Sequence, residues 1–357
     1  MSSCWLNKIL YSQESLEEVQ KIQLKIPTLF KHRPMVKGIT IDGEHSPDLD
    51  DAIWARRTPF GYVIDVHIAD LGAVITPQSP LFIDAISKKE SKYYEDGIDH
   101  MFPPALSENL FSLLQDQKRL TITIRTELNK NLDVINYRIF PSELTSQKRL
   151  SHGQASELIR KAEEPLGKML KISYQLATGL MKKRFSKTPV SLMDVESGIY
   201  LDKYGKARQL KQSSNSATLL IQALMVLSNE MVSQYFINRN LPGIFRNHLP
   251  KNKNEIKEIM KNIIENNGHE PDQKWLDQLS KSFLKAKYQV KNKGHKGLLI
   301  DSYLHFTSPI RRSADLINHM ILSARFNGLQ APFSKKQLRK ISKHLNTPGS
   351  RDYPLNG

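Results

Sequence analysis

Cysteine is all but absent: Cys4 is the only one in 357 residues. That excludes a disulfide framework and a zinc site built on thiolates. Uninterrupted apolar runs are also short, none approaching the roughly 18 residues of a membrane span. The N-terminus does not begin with a basic stretch followed by an apolar one, the pattern of a secretory leader. A reducing compartment, the cytoplasm, is therefore the expected location, with no membrane partner. No Gly-x-Ser-x-Gly elbow and no phosphate-binding Gly-x-x-x-x-Gly-Lys loop occur, which argues against two large hydrolase classes. Negative charge is the scarcer sign, with 36 Asp and Glu against 52 Lys and Arg, a formal charge of +16. Such an excess suits a polyanionic partner, although it also serves solubility.

Against this basic background, residues 38–55 concentrate four aspartates, Asp42, Asp48, Asp50 and Asp51, between two β-branched apolar runs. Like charges that close repel unless a cation sits among them. A hard divalent ion with oxygen ligands is the simplest candidate: Mg2+, with Mn2+ as the alternative. The spacing is not that of an EF-hand loop, which alternates its ligands around a central Gly and ends on Glu. A solvated acidic turn is the plain alternative. On an extended backbone Asp48 and Asp50 share a face while Asp51 points away. Convergence of all four therefore requires a bend after residues 43–47.

The chain divides by periodicity. Residues 1–35 read as an N-terminal extension with one helix over 15–26, which Pro27 ends. Strand signals follow at 39–42, 62–69, 120–125 and 134–140, the last two joined by a turn at 129–131, with a helix over 79–91. Beyond about residue 150, helical spacing dominates at 154–161, 166–184, 217–236, 253–265, 272–287 and 311–325. A strand-rich first half and a helical second half define an α+β fold, taken as one domain over 36–357. Lysine-rich patches recur at 182–184, 285–296 and 335–343, each a solvated face or a phosphate track.

A second constellation is Tyr303-Leu-His-Phe-Thr-Ser-Pro-Ile-Arg-Arg-Ser-Ala-Asp315. Ser308 is a good helix cap and Pro309 a good first helical residue. Arg311 and Arg312 would then lie in a first turn, where the macrodipole disfavours cations and a bound anion offsets the cost. The alternative is an ordinary pairing with Asp315 one turn later. Acidic cluster, arginines and basic chain together suggest metal-dependent cleavage of phosphodiesters.

These residues carry a family resemblance. Thr40-Ile-Asp42, five residues, then Asp48-Leu-Asp50-Asp51-Ala52 resembles the aspartate signature of the ribonuclease II / ribonuclease R family, whose catalytic unit is the RNB domain. Further matches follow in order, including Val66 to Asp70, Ser91 to Tyr94, Met101 to Ser107, Arg246 to Pro250, Gly294 to Leu298 and His305 to Arg312. The resemblance implies a mixed fold around a deep channel for single-stranded RNA. It implies hydrolytic 3′ to 5′ exoribonuclease action releasing nucleoside 5′-monophosphates. Asp42, Asp48 and Asp51 would hold Mg2+, Asp50 would serve the chemical step, and Arg311 would stabilise charge on the scissile phosphate. Tyr93 would stack on bases, with His152, Gln222 and Arg312 as further RNA contacts.

The chain departs from the family at three of these places. His152 stands where Tyr is usual, Gln222 where a Glu reads the sugar, and Ser313 where a Tyr follows the arginines. Altered specificity is expected, including a weaker choice between RNA and DNA. The family usually carries OB-type RNA-binding domains on both sides, and the residues flanking the catalytic unit here are too few for them. A partner protein supplying RNA binding is the corresponding expectation. Two alternatives stand beside an active nuclease: a catalytically impaired RNA-binding protein, and a nuclease specialised for short or structured RNA ends.

Overall fold

The computed structural model describes residues 11–95, 97–185, 199–201, 207–209, 215–251 and 284–348. The β-branched runs become strands β1 (Met35–Asp42), β2 (Asp51–Thr58) and β3 (Gly61–Ala69). A short hairpin follows, β4 (Lys92–Tyr94) and β5 (Gly97–Asp99), then the long strands β6 (Lys118–Asn129) and β7 (Val134–Ser151). Strands β1, β2, β3, β6 and β7 close in that order into a barrel. Neighbours are antiparallel except β1 and β7, which run parallel from Met35 opposite Glu143 to Asp42 opposite Ser151. Closure is possible because β7 has 18 residues, the first part pairing with β6 and the last with β1. The end of β1, the start of β2 and the end of β7 are thereby brought to one rim.

The barrel interior is mainly branched aliphatic, with Ile39, Ile41, Ile53, Ile64, Ile68 and Ile122 almost fully buried. One polar belt crosses it. His67 holds Thr123 Oγ1 at 2.8 Å and the Lys37 carbonyl at 2.9 Å. Burial lowers its pKa to about 4, so the ring is neutral and both nitrogens are satisfied.

The described helices are α1 (Gln13–Lys25), α2 (Pro80–Lys88), α3 (His152–Lys161), α4 (Pro165–Phe185), α5 (Ser216–Asn238), α6 (Ser313–Phe326) and α7 (Lys335–Leu345). Helix α5 is long and apolar enough to cross a membrane by length and composition. Its apolar length is accounted for by burial, since Leu220, Leu224, Leu227 and Met231 all join the core. The expected helix over 253–265 lies outside the described residues. So does most of the one over 272–287, and its last residue opens a strand instead, β11 (Lys287–Gln289), paired with β10 (Phe245–Asn247). The remaining strands, β8 (Ile199–Leu201) and β9 (Ala207–Gln209), extend the sheet of β4 and β5.

The segment before β1 is docked rather than trailing. Glu18 accepts the Leu81 N–H at 2.9 Å, and Asp84 accepts the Ser15 hydroxyl at 2.6 Å. Val19 and Ile22 are buried in the common core. The helix begins at Gln13, capped by Ser12, and Pro27 falls in a 3-10 turn over Ile26–Phe30.

After β3, a turn over Leu71–Ala73 packs backbone to backbone on α6. A Cβ added at Gly72 would lie 2.4 Å from the His319 carbonyl oxygen. Gly72→Ala is therefore expected to destabilise the protein by roughly 1–3 kcal/mol, the usual cost of overpacking, read as a lowered urea midpoint with an unchanged slope.

Candidate active site

Asp42 closes β1 and Asp51 opens β2, so the loop between them decides where Asp48 and Asp50 point. Arg149 holds the loop from outside, its Nη2 donating to the carbonyls of Glu44 at 3.2 Å and Ser46 at 2.8 Å. Ser112 holds it from inside, donating to the Pro47 carbonyl at 2.8 Å and accepting the Leu49 N–H at 3.0 Å. Leu49 is fully buried. Its side chain turns inward and those of Asp48 and Asp50 turn the other way. This is the bend that the spacing required.

Each carboxylate then meets a different environment. Asp50 Oδ1 accepts the Ile310 N–H at 2.8 Å, and its Oδ2 faces Arg311 Nε at 3.3 Å. Asp48 Oδ2 accepts the Tyr93 hydroxyl at 2.5 Å. Asp42 Oδ2 and Asp51 Oδ2 are buried with no hydrogen-bond partner. Burial pushes Asp42 up to about 7 and Asp50 up to about 8, against the pull of Arg311. Burial, with Asp42 and Asp50 beside it, holds Asp51 well above the usual carboxylate range.

Among the described residues no three carboxylates already form a closed ligand set. Mg2+ does not require one, since one or two carboxylates with waters and substrate phosphates commonly hold it. Two orphaned, buried carboxylate oxygens amid two further aspartates are the groups that such an ion neutralises. The residues fit a divalent cation, for which Asp42, Asp48 and Asp51 would be the oxygen donors.

The arginine segment differs from the expected helix start. Helix α6 begins at Ser313, with Arg312 rather than Ser308 in the cap position. Ser308 is otherwise engaged: its N–H donates to Asp315 Oδ1 at 2.8 Å, and its hydroxyl accepts Arg311 Nη2 at 2.9 Å. Residues 308–312 therefore form a turn ahead of the helix, and neither arginine lies in a first helical turn. The pairing with Asp315 does exist, but it belongs to Arg312, at 2.9 Å. Arg312 is buried and its guanidinium is committed to the interior. Arg311, with 39% of its side chain exposed, is the arginine that faces the aspartates. Asn229 steadies the approach to this turn, its Oδ1 accepting the Phe306 N–H at 2.8 Å.

Of the remaining expected residues, Tyr93 and His152 lie at the rim. Tyr93 is carried in by β4, and Ser91 just before that strand donates its N–H to the Arg311 carbonyl at 3.0 Å. Burial raises the Tyr93 pKa, so its hydroxyl stays a proton donor to Asp48. His152 opens α3 directly after Ser151, the residue opposite Asp42. Burial lowers its pKa, leaving a neutral ring. Gln222 is partly exposed on α5, two turns before Asn229 and on the same side by helical spacing. Ser112 and Asn229 are not marked in the sequence, because their partners lie more than 60 residues away and no local pattern points to them.

A closed barrel with an acidic rim and an arginine turn facing it is the architecture of one protein class, the RNB domain, whose family model matches residues 34–327. The chain belongs to that family. Ribonuclease R of Thermotoga maritima is 31% identical over 342 residues, covering 86% of this chain and 47% of the relative. Ribonuclease R 2 of Lactococcus lactis is 30% identical over 314 residues, covering 79% of this chain and 47% of the relative. The chain thus spans about half the length of these curated relatives. Among solved structures, apo RNase R of Mycoplasma genitalium superposes with a TM-score of 0.77 at 24% identity, over 95% of this chain and 60% of that one. Yeast Ssd1, described as a pseudonuclease, superposes at 0.73 and 16%, over 89% of this chain and 43% of that one. The fold is common to both, so only side chains can separate a nuclease from an inactive relative.

Two outcomes follow from the carboxylates. A raised carboxylate pKa means that the folded state retains protons which the unfolded state has released, so stability falls as pH rises from about 4 to about 8. Chelator-treated protein should therefore melt several degrees lower at pH 8 than at pH 5.5, at about 2–4 °C per kcal/mol. Mg2+ should restore more at pH 8, and Asp51→Asn should raise the metal-free melting temperature there while losing most of that response. Tyr93→Phe, which releases Asp48, should weaken Mg2+ affinity about tenfold by titration calorimetry, with the fold unchanged by circular dichroism.

Proposed function

We propose that the chain is a divalent-metal-dependent 3′ to 5′ exoribonuclease that hydrolyses single-stranded RNA and releases nucleoside 5′-monophosphates. The observation that carries this reading is Asp50, held between a backbone N–H and the exposed Arg311 beside the two orphaned carboxylate oxygens. A bound Mg2+ would lower the pKa of a coordinated water and neutralise phosphate charge. The chain's own residues supply the rest. Asp50, its carboxylate fixed in direction by Ile310, accepts a hydrogen bond from the attacking water and aligns it. Arg311, steadied by Ser308, presents its guanidinium where negative charge builds on the scissile phosphate. Tyr93 keeps Asp48 oriented.

RNA as the partner is supported by the relatives named ribonuclease R and by solved Mycoplasma genitalium RNase R complexes with single-stranded and double-stranded RNA. The departures fall unequally on the site. Ser313 is fully buried and its hydroxyl donates to the Ala85 carbonyl at 2.7 Å, so this change belongs to packing. His152 follows Ser151 at the rim and Gln222 is partly exposed on α5, and on this reading the two changes would alter how the terminal sugar is held. The second reading, an impaired RNA-binding protein, is favoured by these two changes and by the likeness to Ssd1. The retained aspartates oppose it, because four mutually repelling carboxylates cost stability and a pure binder has no use for them.

The test is a time course on 5′-labelled single-stranded RNA and its DNA counterpart with Mg2+. Asp50→Asn should lower kcat about a thousandfold or more and Arg311→Lys about a hundredfold, both folded. Cutting of DNA as well would place the loss of sugar selection at Gln222 and His152. A parent that binds RNA and shortens none of it would overturn the reading in favour of the impaired binder.

A further inference from the structure

The three lysine patches have different fates. In the first, Lys183 pairs with Asp133 and Arg184 with Glu230, so much of its charge is compensated. The other two are brought together. Tyr288 of β11 donates its N–H to Asn346 Oδ1 at 2.9 Å, and Asn346 returns a bond to the Tyr288 carbonyl at 2.8 Å. The end of α7 is thus locked beside Lys287.

Helix α7 is divided cleanly into two faces. Leu338 and Ile341 are buried, while Lys336, Arg339, Lys340 and Lys343 are exposed at i, i+3, i+4 and i+7, which is one stripe. Among the described residues no carboxylate pairs with Lys336, Arg339, Lys343 or Lys287. Solubility does not explain where the charges are. Lys335 and Lys336 occupy the first turn, which holds no acidic residue and where the macrodipole disfavours cations. A polyanion laid along the stripe would offset that cost. No large apolar side chain of α7 is exposed, so the stripe lacks the apolar centre that a protein interface uses.

The stripe also leads to the acidic rim. At its far end the Thr347 carbonyl accepts Lys89 Nζ at 2.6 Å, and His344 Nε2 meets the Ile86 carbonyl at 3.0 Å. From Lys89 the backbone runs past Glu90, which bridges to Arg312, into β4 and Tyr93 on Asp48. The span from Lys336 to Lys343 is roughly 10 Å, and from Lys89 to Tyr93 roughly 13 Å. Helix α7 lies beyond the residues that match the RNB domain.

We propose that the cationic stripe of α7, continued by Lys287, is a second RNA-backbone site that grips the upstream part of a single strand whose 3′ end lies among the aspartates. The placement of that 3′ end rests on the exoribonuclease reading, whereas the grip itself does not.

The test measures binding in the Asp50→Asn background, by fluorescence anisotropy over a range of salt, with RNAs of about 5 and about 30 nucleotides. Combining Lys336→Ala, Arg339→Ala and Lys343→Ala should weaken the longer RNA about tenfold and flatten its log–log salt slope by about 2, near 0.7 per lost charge. The short RNA should bind as before, and Lys336→Arg with Lys343→Arg should behave like the parent. An unchanged affinity and slope for the longer RNA would overturn the proposal. Loss of binding to polyglutamate with RNA binding intact would also overturn it, and would assign the stripe to an acidic protein. A flattened slope in a chain whose Asp50 parent cuts no RNA would support the site and refute the nuclease reading, so the two failures are distinguishable.

Discussion

Repulsion among carboxylates is the constraint on which the rest of this structure depends. Four aspartates crowd one rim of a barrel, and the protein meets their charge with few groups: the Ile310 N–H, the Arg311 guanidinium and the Tyr93 hydroxyl. All three come from outside the barrel, and two of them from a turn 260 residues or more away in sequence. The barrel supplies the crowding, because the end of β1 and the start of its antiparallel neighbour β2 carry aspartates at one rim and the loop between them carries the other two. The helical half supplies the relief. Buried Asn229 and Asp315 hold the intervening turn in place. Two carboxylate oxygens, on Asp42 and Asp51, are left without a hydrogen-bond partner.

Much of this was legible in the residues, and what was not has a physical reason. The spacing of Asp42, Asp48, Asp50 and Asp51 carries the need for a bend, because alternation on an extended backbone is a local property. The strand at 62–69 and the turn after residue 129 were legible for the same reason. What supplies the bend was not, because Ser112 and Arg149 act across the fold. The arginine segment misled through a strong local signal. Ser-Pro is a good helix start, but Asp315 takes the Ser308 N–H and Arg311 takes its hydroxyl, so the helix waits until Ser313. Arg311 faces the aspartates, while Arg312, expected among the RNA contacts, is buried against Asp315. The docking of the N-terminal helix is not legible in the sequence, because its carboxylate contacts with α2 leave no periodic trace.

The likeness to both RNase R and a pseudonuclease separates scaffold from chemistry. A barrel with this topology is retained whether or not it cleaves, since its core is aliphatic and indifferent to the rim. In this chain Asp42 and Asp51 are buried at a cost in stability, whereas Ser313 serves packing.

The chain order of the site has a consequence for the growing polypeptide. The aspartates leave the ribosome about 260 residues before the arginine that faces them, an interval of roughly 13–50 s at ordinary rates of synthesis. Throughout that interval the nascent chain has an acidic loop without its guanidinium, its Ile310 amide or the helix that seats them. On the proposed nuclease reading, a chain made in this order cannot cut the messenger that encodes it until the turn at residues 308–312 and the helix behind it have been made and folded.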